Sequence, residues 1–244
     1  MKLFDNNTAG MTQGVVSGFG FSAVRPDTLG ATEYTLVTLL LDKTGSVAPF
    51  ADALFQVKKT IIEACRKSAR ADFLLLRVVE FNSQVDEVHG FKPLADIDVN
   101  AYLVPRCGGL TSLVDATFAV ISATNAYAKN LADQDYQTNA LAVIVTDGAD
   151  NHSRMSESDV KQQIALAISG EVLESMRTVL VGVNAGDCAA QLQRFQAAVG
   201  IDQYVDVAEA TPQRLAKLAE FVSRSISAQS QSLGTGGPSQ ALTF

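Results

Sequence analysis

The stretch LLLDKTGSV, residues 39–47, places one carboxylate and two hydroxyl groups directly after an apolar run. Asp42 ends that run, and Thr44 and Ser46 follow on either side of Gly45. A carboxylate in such a place can be a nucleophile, a metal ligand or the cap of the helix that follows. The role of Asp42 therefore depends on which other side chains the fold brings beside it.

Two more oxygen-bearing side chains follow other predicted elements. Thr111 lies in CGGLTSLVDA, just before a predicted helix, and the second carboxylate, Asp147, follows the apolar run 140–146. Hard oxygens suit Mg²⁺, Mn²⁺ or Ca²⁺ rather than zinc, and Mg²⁺ keeps several water ligands, so a few protein oxygens are enough for it. The sequence therefore predicts a divalent-cation site, preferably for Mg²⁺, made of Asp42, Thr44, Ser46, Thr111 and Asp147.

The elements that would position these residues alternate between strand and helix. Short, nearly continuous apolar runs predict strands buried on both faces at 34–41, 73–82, 140–148, 177–186 and 203–210. Apolar residues at helical spacing predict helices over 50–70, 112–130, 156–176, 189–200 and 211–229. A short strand over 83–91 is expected at the edge of the sheet. This order predicts a doubly wound, mostly parallel α/β sheet of the Rossmann-like kind, in which ligands bind beyond the carboxyl ends of the strands.

The predicted organisation is one domain, 34–229, with a Gly- and Asn-rich extension over 1–33 and a polar tail over 230–244. The extension carries apolar residues that a free linker would not need, and we expect part of it to pack on the domain as an added edge strand. These residues are Val15, Val16, Phe19 and Phe21. For the tail, disorder and docking through Leu242 and Phe244 are both open.

Composition narrows the classes of function. The net charge of −7 and the pI near 4.8 disfavour nucleic-acid binding through phosphate neutralisation. The three cysteines lie far apart without a C-x-x-C motif, which favours reduced thiols in a cytoplasm. The sequence shows neither a signal-peptide pattern nor an apolar run long enough to cross a membrane, so a cytoplasmic protein is predicted.

Taken together, the three motifs resemble the metal-ion-dependent adhesion site of von Willebrand factor type A (vWA) domains. That family has D-x-S-x-S after the first strand, a Thr in a later loop and an Asp after the central strand. The matching residues are Asp42, Thr44, Ser46, Thr111 and Asp147, and GGLTSLVDA and VIVTDGADN resemble the surrounding family motifs. The resemblance covers about residues 34–228, with the motifs in the family's order. This sequence departs from the pattern in having Thr44 for the usual Ser and Leu110 between the glycines and Thr111.

The resemblance implies that the hydroxyl groups bind the metal directly and that the carboxylates often act through water. An Asp or Glu of a partner protein would take the open position on the cation. It therefore implies a divalent-cation-dependent protein interaction module, an adaptor or assembly component of the intracellular bacterial or phage type, and not an enzyme. A MoxR-type AAA+ ATPase is the partner that the family suggests, and self-association of the chain is left open.

Two other readings remain. DKTGS resembles the DKTGT phosphorylation motif of P-type ATPases in the haloacid-dehalogenase superfamily, which would make Asp42 a nucleophile and DGADN a magnesium loop. Against it, soluble relatives need an Asp where this sequence has Thr44, and an amphipathic helix follows at once. The other reading is a structural component of a larger assembly with a vestigial metal site.

Several charged or polar residues are expected to have ordinary structural roles. Asp115 is predicted to be a solvated helix residue, and Asp150 and Asn151 are predicted to shape a turn. An exposed basic face is predicted on the helix over 50–70. Its residues are Lys58, Lys59, Arg66 and Lys67.

Overall fold

The computed structural model describes residues 4–8, 10–169 and 172–244. Short turns of 3₁₀ helix join several elements, and the turn Gly45–Phe50 leads directly into the first helix. In chain order the strands and helices are β1 Phe4–Thr8, β2 Met11–Val16, β3 Phe19–Val24, β4 Glu33–Asp42, α1 Ala51–Arg66, β5 Leu74–Phe81, β6 Val85–Pro93, α2 Leu113–Ala132, β7 Gln137–Thr146, α3 Glu157–Ser169, β8 Met176–Val183, α4 Ala189–Val199, β9 Gln203–Val207 and α5 Pro212–Thr235.

The described strands form one sheet in the order β1-β2-β3-β6-β5-β4-β7-β8-β9. The strands β5, β4, β7, β8 and β9 run parallel to one another, whereas β6 pairs antiparallel with β5. β3 pairs parallel with β6, and β2 and β1 continue the sheet as antiparallel neighbours. The predicted doubly wound, mostly parallel α/β sheet is therefore confirmed.

Helices cover both faces of the central strands, which explains why these strands read as unbroken apolar runs. α1 and α5 pack together on one face, and α2, α3 and α4 form the layer on the other. Because successive side chains point to opposite faces, Leu36 and Leu40 enter the core beside α2, whereas Val37 and Leu39 enter the core beside α1 and α5. Of the helices in the described ranges, none has both the length and the apolar character needed to cross a membrane.

The N-terminal segment packs on the domain, as its apolar residues predicted, although positions 1–3 and 9 lie outside the described residues. β3 pairs with the outer side of β6, Phe21 is buried, and the hydroxyl of Tyr127 in α2 donates to the Val24 carbonyl over 2.7 Å. The strand predicted over 83–91 is thus wrong as an edge strand, because β3 occupies its free side. Sequence order alone does not reveal that an earlier segment completes the sheet there.

Two helix ends differ from the prediction. α3 ends at Ser169 instead of reaching 176; residues 170–171 of the predicted helix lie outside the described residues, and Gly170 is a poor helix former. α5 continues beyond 229 to Thr235, because Ser230 and Leu233 still face the core.

The C-terminal residues that follow α5 turn back onto the domain. Leu242 and Phe244 pack against the core beside α5, and the Phe244 ring meets the Phe221 ring edge-on at 5.7 Å. The side-chain amide of Gln203 in β9 donates to the Leu242 carbonyl over 3.0 Å. Of the two open alternatives for this segment, the structure therefore shows docking on the domain.

The predicted basic face of α1 is partly wrong. Lys58 is buried, its ammonium group lies 2.9 Å from a carboxylate oxygen of Glu80, and it sits over the Tyr102 ring. A buried lysine requires such a partner, because the desolvation of an isolated charge is very unfavourable. A second buried cation, Arg77 in β5, pairs with Glu87 in β6 at 2.7 Å.

His89 in β6 joins the strand to the loop that precedes α2. Its Nδ1 donates to the Gly90 carbonyl at 2.9 Å, so the neutral ring accepts the Tyr102 hydroxyl at Nε2 over 2.6 Å. Burial, followed by the nearby cations Lys92, Lys58 and Arg77, lowers the pKa of His89 to about 4. At neutral pH the ring is therefore uncharged and holds Tyr102 in place.

The depressed pKa of His89 predicts a loss of stability in acid. Between about pH 6.5 and about pH 4 the unfolded chain binds a proton at His89 that the folded protein does not bind. The free energy of unfolding should therefore fall as the pH drops through this window, by at most about 3 kcal/mol. Urea titrations at pH 7 and pH 4.5 of wild type and His89→Gln measure this contribution. Identical pH dependence in the two proteins would contradict it.

Candidate metal centre

The site lies at the topological switch point of the sheet. From β4 the chain first builds outward through β5 and β6 and then returns to build β7, β8 and β9 on the other side. The connections after β4 and β7 therefore leave in opposite directions, and a crevice opens at the carboxyl ends of these two strands. Asp42 is the last residue of β4 and Thr146 is the last residue of β7.

Asp42 is buried and organises the loop that follows it. Its Oδ1 accepts the Thr44 backbone N–H at 2.7 Å, which closes the turn after β4. Its Oδ2 accepts the Thr146 hydroxyl at 2.6 Å across the switch point. The two oxygens thus fix the backbone of the loop after β4 and the end of the neighbouring strand β7. Asp42 is only 2% exposed.

A chain of short contacts joins three of the remaining predicted residues. The hydroxyl oxygens of Thr44 and Ser46 lie 3.1 Å apart, and the Ser46 hydroxyl donates to Asp147 Oδ1 at 2.9 Å. Thr44 and Asp147 are buried, whereas Ser46 is exposed at the rim of the crevice. The loops after β4 and β7 therefore bring two hydroxyl groups and one carboxylate together beside Asp42.

Thr111 reaches the same place from the loop before α2. Hydrogen bonds hold this loop against the loops after β4 and β5: the Gly108 N–H donates to the Lys43 carbonyl at 2.9 Å, and the Ser112 N–H donates to the Asn82 carbonyl at 3.0 Å. Thr111 is buried, and its hydroxyl faces Gly148, where a Cβ atom would lie 3.8 Å away. Thr111 thus adjoins the segment that begins with Asp147, without a hydrogen bond to the other four predicted residues in the described structure.

Side chains of the loop after β7 hold the Thr111 loop in place, although the sequence predicts only a turn-forming role for them. Asn151 Oδ1 accepts the Thr111 N–H at 2.8 Å, and the Asn151 N–H donates to the Thr111 carbonyl at 2.9 Å. Asp150 Oδ1 accepts the Val114 N–H at 3.1 Å. Asp115, predicted to be solvated, is buried instead and accepts the backbone N–H groups of residues 154 and 155.

Two positioning residues, Thr146 and Asn82, were not predicted from the sequence, and Asn151 was predicted only to shape a turn. Thr146 bonds Asp42, and the side-chain amide of Asn82 donates to the Gly108 carbonyl at 2.8 Å. A usable signal existed for Thr146, because a polar residue at the end of an apolar strand directly precedes Asp147. The contacts of Asn82 and Asn151 depend on loops distant in sequence, so no local pattern reveals them.

The electrostatics of the site favour a cation. Burial raises the pKa of Asp42 to about 6 despite the hydrogen bonds from Thr146 and Thr44, and the nearby Asp147 charge raises it further. Burial also raises the pKa of Asp147, which the Ser46 hydroxyl partly offsets. The ammonium group of the neighbouring Lys43 forms an ion pair with Asp86 instead, with 2.8 Å between Nζ and the carboxylate oxygen. Two poorly solvated carboxylates thus share a site without a neutralising side chain among the described residues.

The donor chemistry fits a hard divalent cation. Within the described ranges no three His, Cys, Asp or Glu side chains cluster as a metal site, so the available donors are hydroxyl groups with two carboxylates. Such oxygens suit Mg²⁺, Mn²⁺ or Ca²⁺ and do not provide the thiolate and imidazole groups that structural zinc sites use. The residues that would hold the ion are Asp42, Thr44, Ser46, Thr111 and Asp147.

The clamp on Thr111 leads to a prediction about Asn151. Asn151→Ala removes the acceptor of the Thr111 N–H and keeps only the backbone bond to the Thr111 carbonyl, so Thr111 is held less firmly, and the affinity for Mg²⁺ should fall about tenfold, as for other residues that orient ligands. Asn151→Asp keeps the acceptor oxygen and should retain most of the affinity. Calorimetric titration, with the partly exposed Asn130→Ala near the end of α2 as control, measures both. Equal affinity of Asn151→Ala and Asn130→Ala would show that the clamp does not position the site.

Comparison with known proteins gives matches at the level of structure. No protein-family model matches the chain, and no curated protein matches its sequence. The D319A mutant of the PilB minor pilin from Streptococcus sanguinis aligns with a TM-score of 0.59 at 16% identity, over 91% of this chain and 67% of the pilin. The pilus adhesin SpaC from Lactobacillus rhamnosus GG aligns with a TM-score of 0.61 at 11% identity, over 92% of this chain and 33% of the adhesin.

A third neighbour is the ArnB paralog VWA2 from Sulfolobus acidocaldarius. It aligns with a TM-score of 0.52 at 9% identity, over 88% of this chain and 48% of that protein. The chain thus spans about two thirds of PilB, half of VWA2 and a third of SpaC. At these identities the similarity shows a shared fold, in proteins that include both pilus components and a VWA protein.

Proposed function

We propose that the chain is a von Willebrand factor type A domain that binds a divalent cation and uses it to bind another protein. The ligands are Asp42, Thr44, Ser46, Thr111 and Asp147, and Mg²⁺ is the preferred ion, with Mn²⁺ or Ca²⁺ as substitutes. The observation that carries the proposal is the hydrogen-bonded run Thr44–Ser46–Asp147 beside buried Asp42 at the switch point. The loop that holds Thr111 completes the same crevice.

The chemistry of this site suits protein recognition. When bound, the cation supplies a positive charge that attracts a carboxylate from outside. The chain's own hydroxyl groups are neutral, and Asp42 is held by Thr44 and Thr146, so we expect coordination positions of the ion to stay open to water or to a group from outside. An Asp or Glu of a partner protein is the group expected to complete the site, and such charge-assisted contacts are stronger than neutral ones.

The geometry disfavours the phosphotransferase alternative. The soluble relatives need a general-acid Asp at the position of Thr44, and the hydroxyl of Thr44 contacts Ser46, while Asp42 is held by Thr44 and Thr146. We therefore propose a binding role without catalysis. Incubation with Mg²⁺ and generic phosphoesters should give neither turnover nor an acyl phosphate on Asp42. Hydroxylamine-sensitive phosphate on wild type that disappears in Asp42→Asn would overturn this view.

Two settings for the partner are testable. A MoxR-type AAA+ ATPase is the partner implied by the sequence resemblance, in a cytoplasmic adaptor role. A role outside the cell is favoured by the fold shared with PilB and SpaC, which are a minor pilin and a pilus adhesin. Cell fractionation, followed by affinity capture with Mg²⁺ or with chelator, separates them. An ATPase captured only with Mg²⁺ supports the first setting, and exposure of the protein on the cell surface supports the second.

The direct test of the site is Thr111→Ala. Loss of this hydroxyl should weaken Mg²⁺ binding about tenfold, while the melting temperature changes little because the hydroxyl makes no hydrogen bond to another described residue. Thr124→Ala is the matched control, since Thr124 is also buried but its hydroxyl donates to the Val120 carbonyl within α2. Calorimetry and thermal melts of both variants decide the question. Unchanged affinity in Thr111→Ala, or equal loss in both variants, would remove Thr111 from the site.

A further inference from the structure

The residues that follow α5 cover a part of the sheet that the helices leave open. Two helices, α1 and α5, lie on this face against three on the other, and α5 packs mainly on β4 and β7. Val179 in β8 and Val205 in β9 are nevertheless buried on the same face. Leu242 lies beside Val179, and Phe244 packs on the same core. We call residues 239–244 the strap. The strap groove is the surface beneath it, formed by Arg177, Val179, Gln203, Lys217, Phe221 and Arg224.

Side chains of the domain hold the strap in place. Arg177 in β8 donates to Ser239 twice, from Nε to the hydroxyl oxygen over 3.0 Å and from Nη2 to the carbonyl oxygen over 2.7 Å. Arg224 in α5 donates to the Thr243 carbonyl over 3.4 Å. Within the described ranges, residues 238–244 make no hydrogen bond from backbone to backbone. The strap can therefore leave its groove without breaking a β-ladder or a helix, which makes its release a local opening of low cost.

The strap groove recognises apolar and neutral groups. Lys217 Nζ lies 4.7 Å from the centre of the Phe244 ring, in addition to the edge-on contact of that ring with Phe221. The strap itself, SQALTF, carries no charged side chain. The side chains that form the groove belong to α5, β8 and β9, which are regular elements of the domain. None of these contacts depends on the strap belonging to the same chain as the groove.

The connection between α5 and the strap has the character of a hinge. α5 ends at Thr235, and Gly236 closes it with a φ of 64° and an N–H that donates to the Leu233 carbonyl over 3.2 Å. Gly237 and Pro238 follow, and a cavity of about 330 Å³ adjoins these residues. Glycines give the backbone a wide choice of conformations. Because the cavity leaves the connection loosely packed, little packing is lost when it straightens.

We infer that two copies of the chain exchange straps, each placing residues 239–244 in the strap groove of the other. The exchanged dimer repeats every strap contact of the closed monomer, and only the hinge differs, which makes such exchange a low-cost route to association. A short flexible connection gives the strap a local concentration on the order of mM, so the closed monomer prevails in dilute solution. Exchange becomes substantial where copies are concentrated to about that level, as in an assembly of many copies. The inference is independent of the metal site, because none of the five predicted ligands belongs to the strap or its groove.

Shortening the hinge tests the exchange. Deletion of Gly236 and Gly237 removes about 7 Å of chain and joins Pro238 directly to the end of α5, so the strap no longer reaches the groove of its own domain. In size-exclusion chromatography with light scattering we expect this variant to be a dimer, with about twice the monomer mass of 25.9 kDa. Wild type at the same concentration of about 20 μM should be a monomer, because this is far below the local concentration of the strap. Insertion of two glycines after Gly237 is the matched control and should leave a monomer. Adding Leu242→Ser/Phe244→Ser to the deletion should return it to a monomer.

A second test supplies the strap as a separate peptide. Full-length Leu242→Ser/Phe244→Ser has a weakened strap of its own, which leaves its groove accessible. A fluorescent peptide with the sequence of residues 236–244 should bind this variant with a Kd below about 1 mM, because a weaker strap would not stay closed at its local concentration. The same peptide with both serines should not bind. Fluorescence anisotropy measures both peptides.

Each outcome supports or overturns the exchange. A deletion variant whose dimer requires Leu242 and Phe244, together with binding of the peptide, supports it. A monomeric deletion variant, a dimer that persists with both serines, or a peptide that fails to bind would overturn it. If the deletion variant aggregates, the peptide decides together with the mass of wild type at about 1 mM, where a dimer is expected. Absence of either result would then overturn the inference.

Discussion

Asp42→Asn should remove most of the divalent-cation affinity and leave the fold intact. The change deletes one of the two carboxylates of the site, and loss of such a group lowers metal affinity by about 10- to 100-fold. The fold should survive because an Asn oxygen still accepts the Thr44 N–H and the Asn amide can donate to the Thr146 oxygen, which donates in turn to the Gly148 carbonyl. Titration with Mg²⁺ and Mn²⁺ by calorimetry measures the affinity.

The stability of Asp42→Asn without metal provides an independent readout. Burial raises the pKa of Asp42 to about 6, so this carboxyl stabilises the folded state only while it is protonated. At pH 8 it is charged and poorly solvated, and a neutral Asn avoids that cost. We therefore expect the metal-free variant to melt at the same temperature as wild type or higher. Asp202→Asn, at a carboxylate remote from the site that bonds Thr178, is the control for metal binding.

A wild-type metal affinity in Asp42→Asn would remove Asp42 from the site, and the crevice would then be a structural network of hydroxyl groups. A large loss of stability in chelator would show instead that Asp42 acts mainly as the turn-forming residue after β4. The expected pair of results, lost affinity with retained stability, distinguishes a binding site from a structural one.

The central fold was predictable because its physical causes are local in the sequence. Strands buried on both faces are apolar at nearly every position. The runs 34–41 and 140–146 can therefore be predicted as strands from their own residues alone. The site was indicated for a related reason. In a parallel sheet, polar residues that directly follow buried strands meet at one edge, which brings Asp42 and Asp147 together.

What could not be predicted depends on contacts between distant segments. In the sequence Lys58 resembles the other basic residues of α1, which are expected in solvent. Its burial is possible because Glu80 in β5 lies beside its ammonium group. Likewise, Asn151 is an ordinary turn residue until Thr111 lies opposite it. The parallel pairing of β3 with β6 joins segments more than 60 residues apart, as the register of Ala23 with Phe91 shows.

Gly90→Ala should detach the N-terminal strands from the domain. Gly90 lies in β6 directly beside β3, and an added Cβ atom would overlap the carbonyl oxygen and the hydroxyl of Ser22. Because the first obstacle is backbone, no side-chain rotation relieves the overlap, and β3 has to move away from β6.

That movement also disturbs a buried ion pair. The N–H and hydroxyl of Ser22 donate to Glu87 Oε1 at 2.9 and 2.6 Å, while Glu87 Oε2 accepts Arg77 Nε at 2.7 Å. Arg77 is 1% exposed and lies near the rings of Phe21 and Phe91, so the ion pair also loses the cover of Phe21 when β3 moves. Losing the two hydrogen bonds from Ser22 to a charged carboxylate, at about 1.5–3 kcal/mol each, costs roughly 3 kcal/mol or more. The free energy of unfolding of Gly90→Ala should therefore drop by about that amount.

Gly20→Ala is the matched control, because Gly20 lies in β3 itself, is exposed, and has no atom within 4 Å of the added Cβ. Its stability should change by less than about 1 kcal/mol, since Ala replaces Gly in an unstrained strand. Hydrogen exchange then locates the effect. In Gly90→Ala the amides of 11–16 and 19–24 should lose protection while those of 140–146 keep it, because β7 pairs with β4 and β8 far from the N-terminal strands. Equal unfolding free energies and equal protection of 19–24 in the two variants would mean that β3 does not depend on close contact with Gly90.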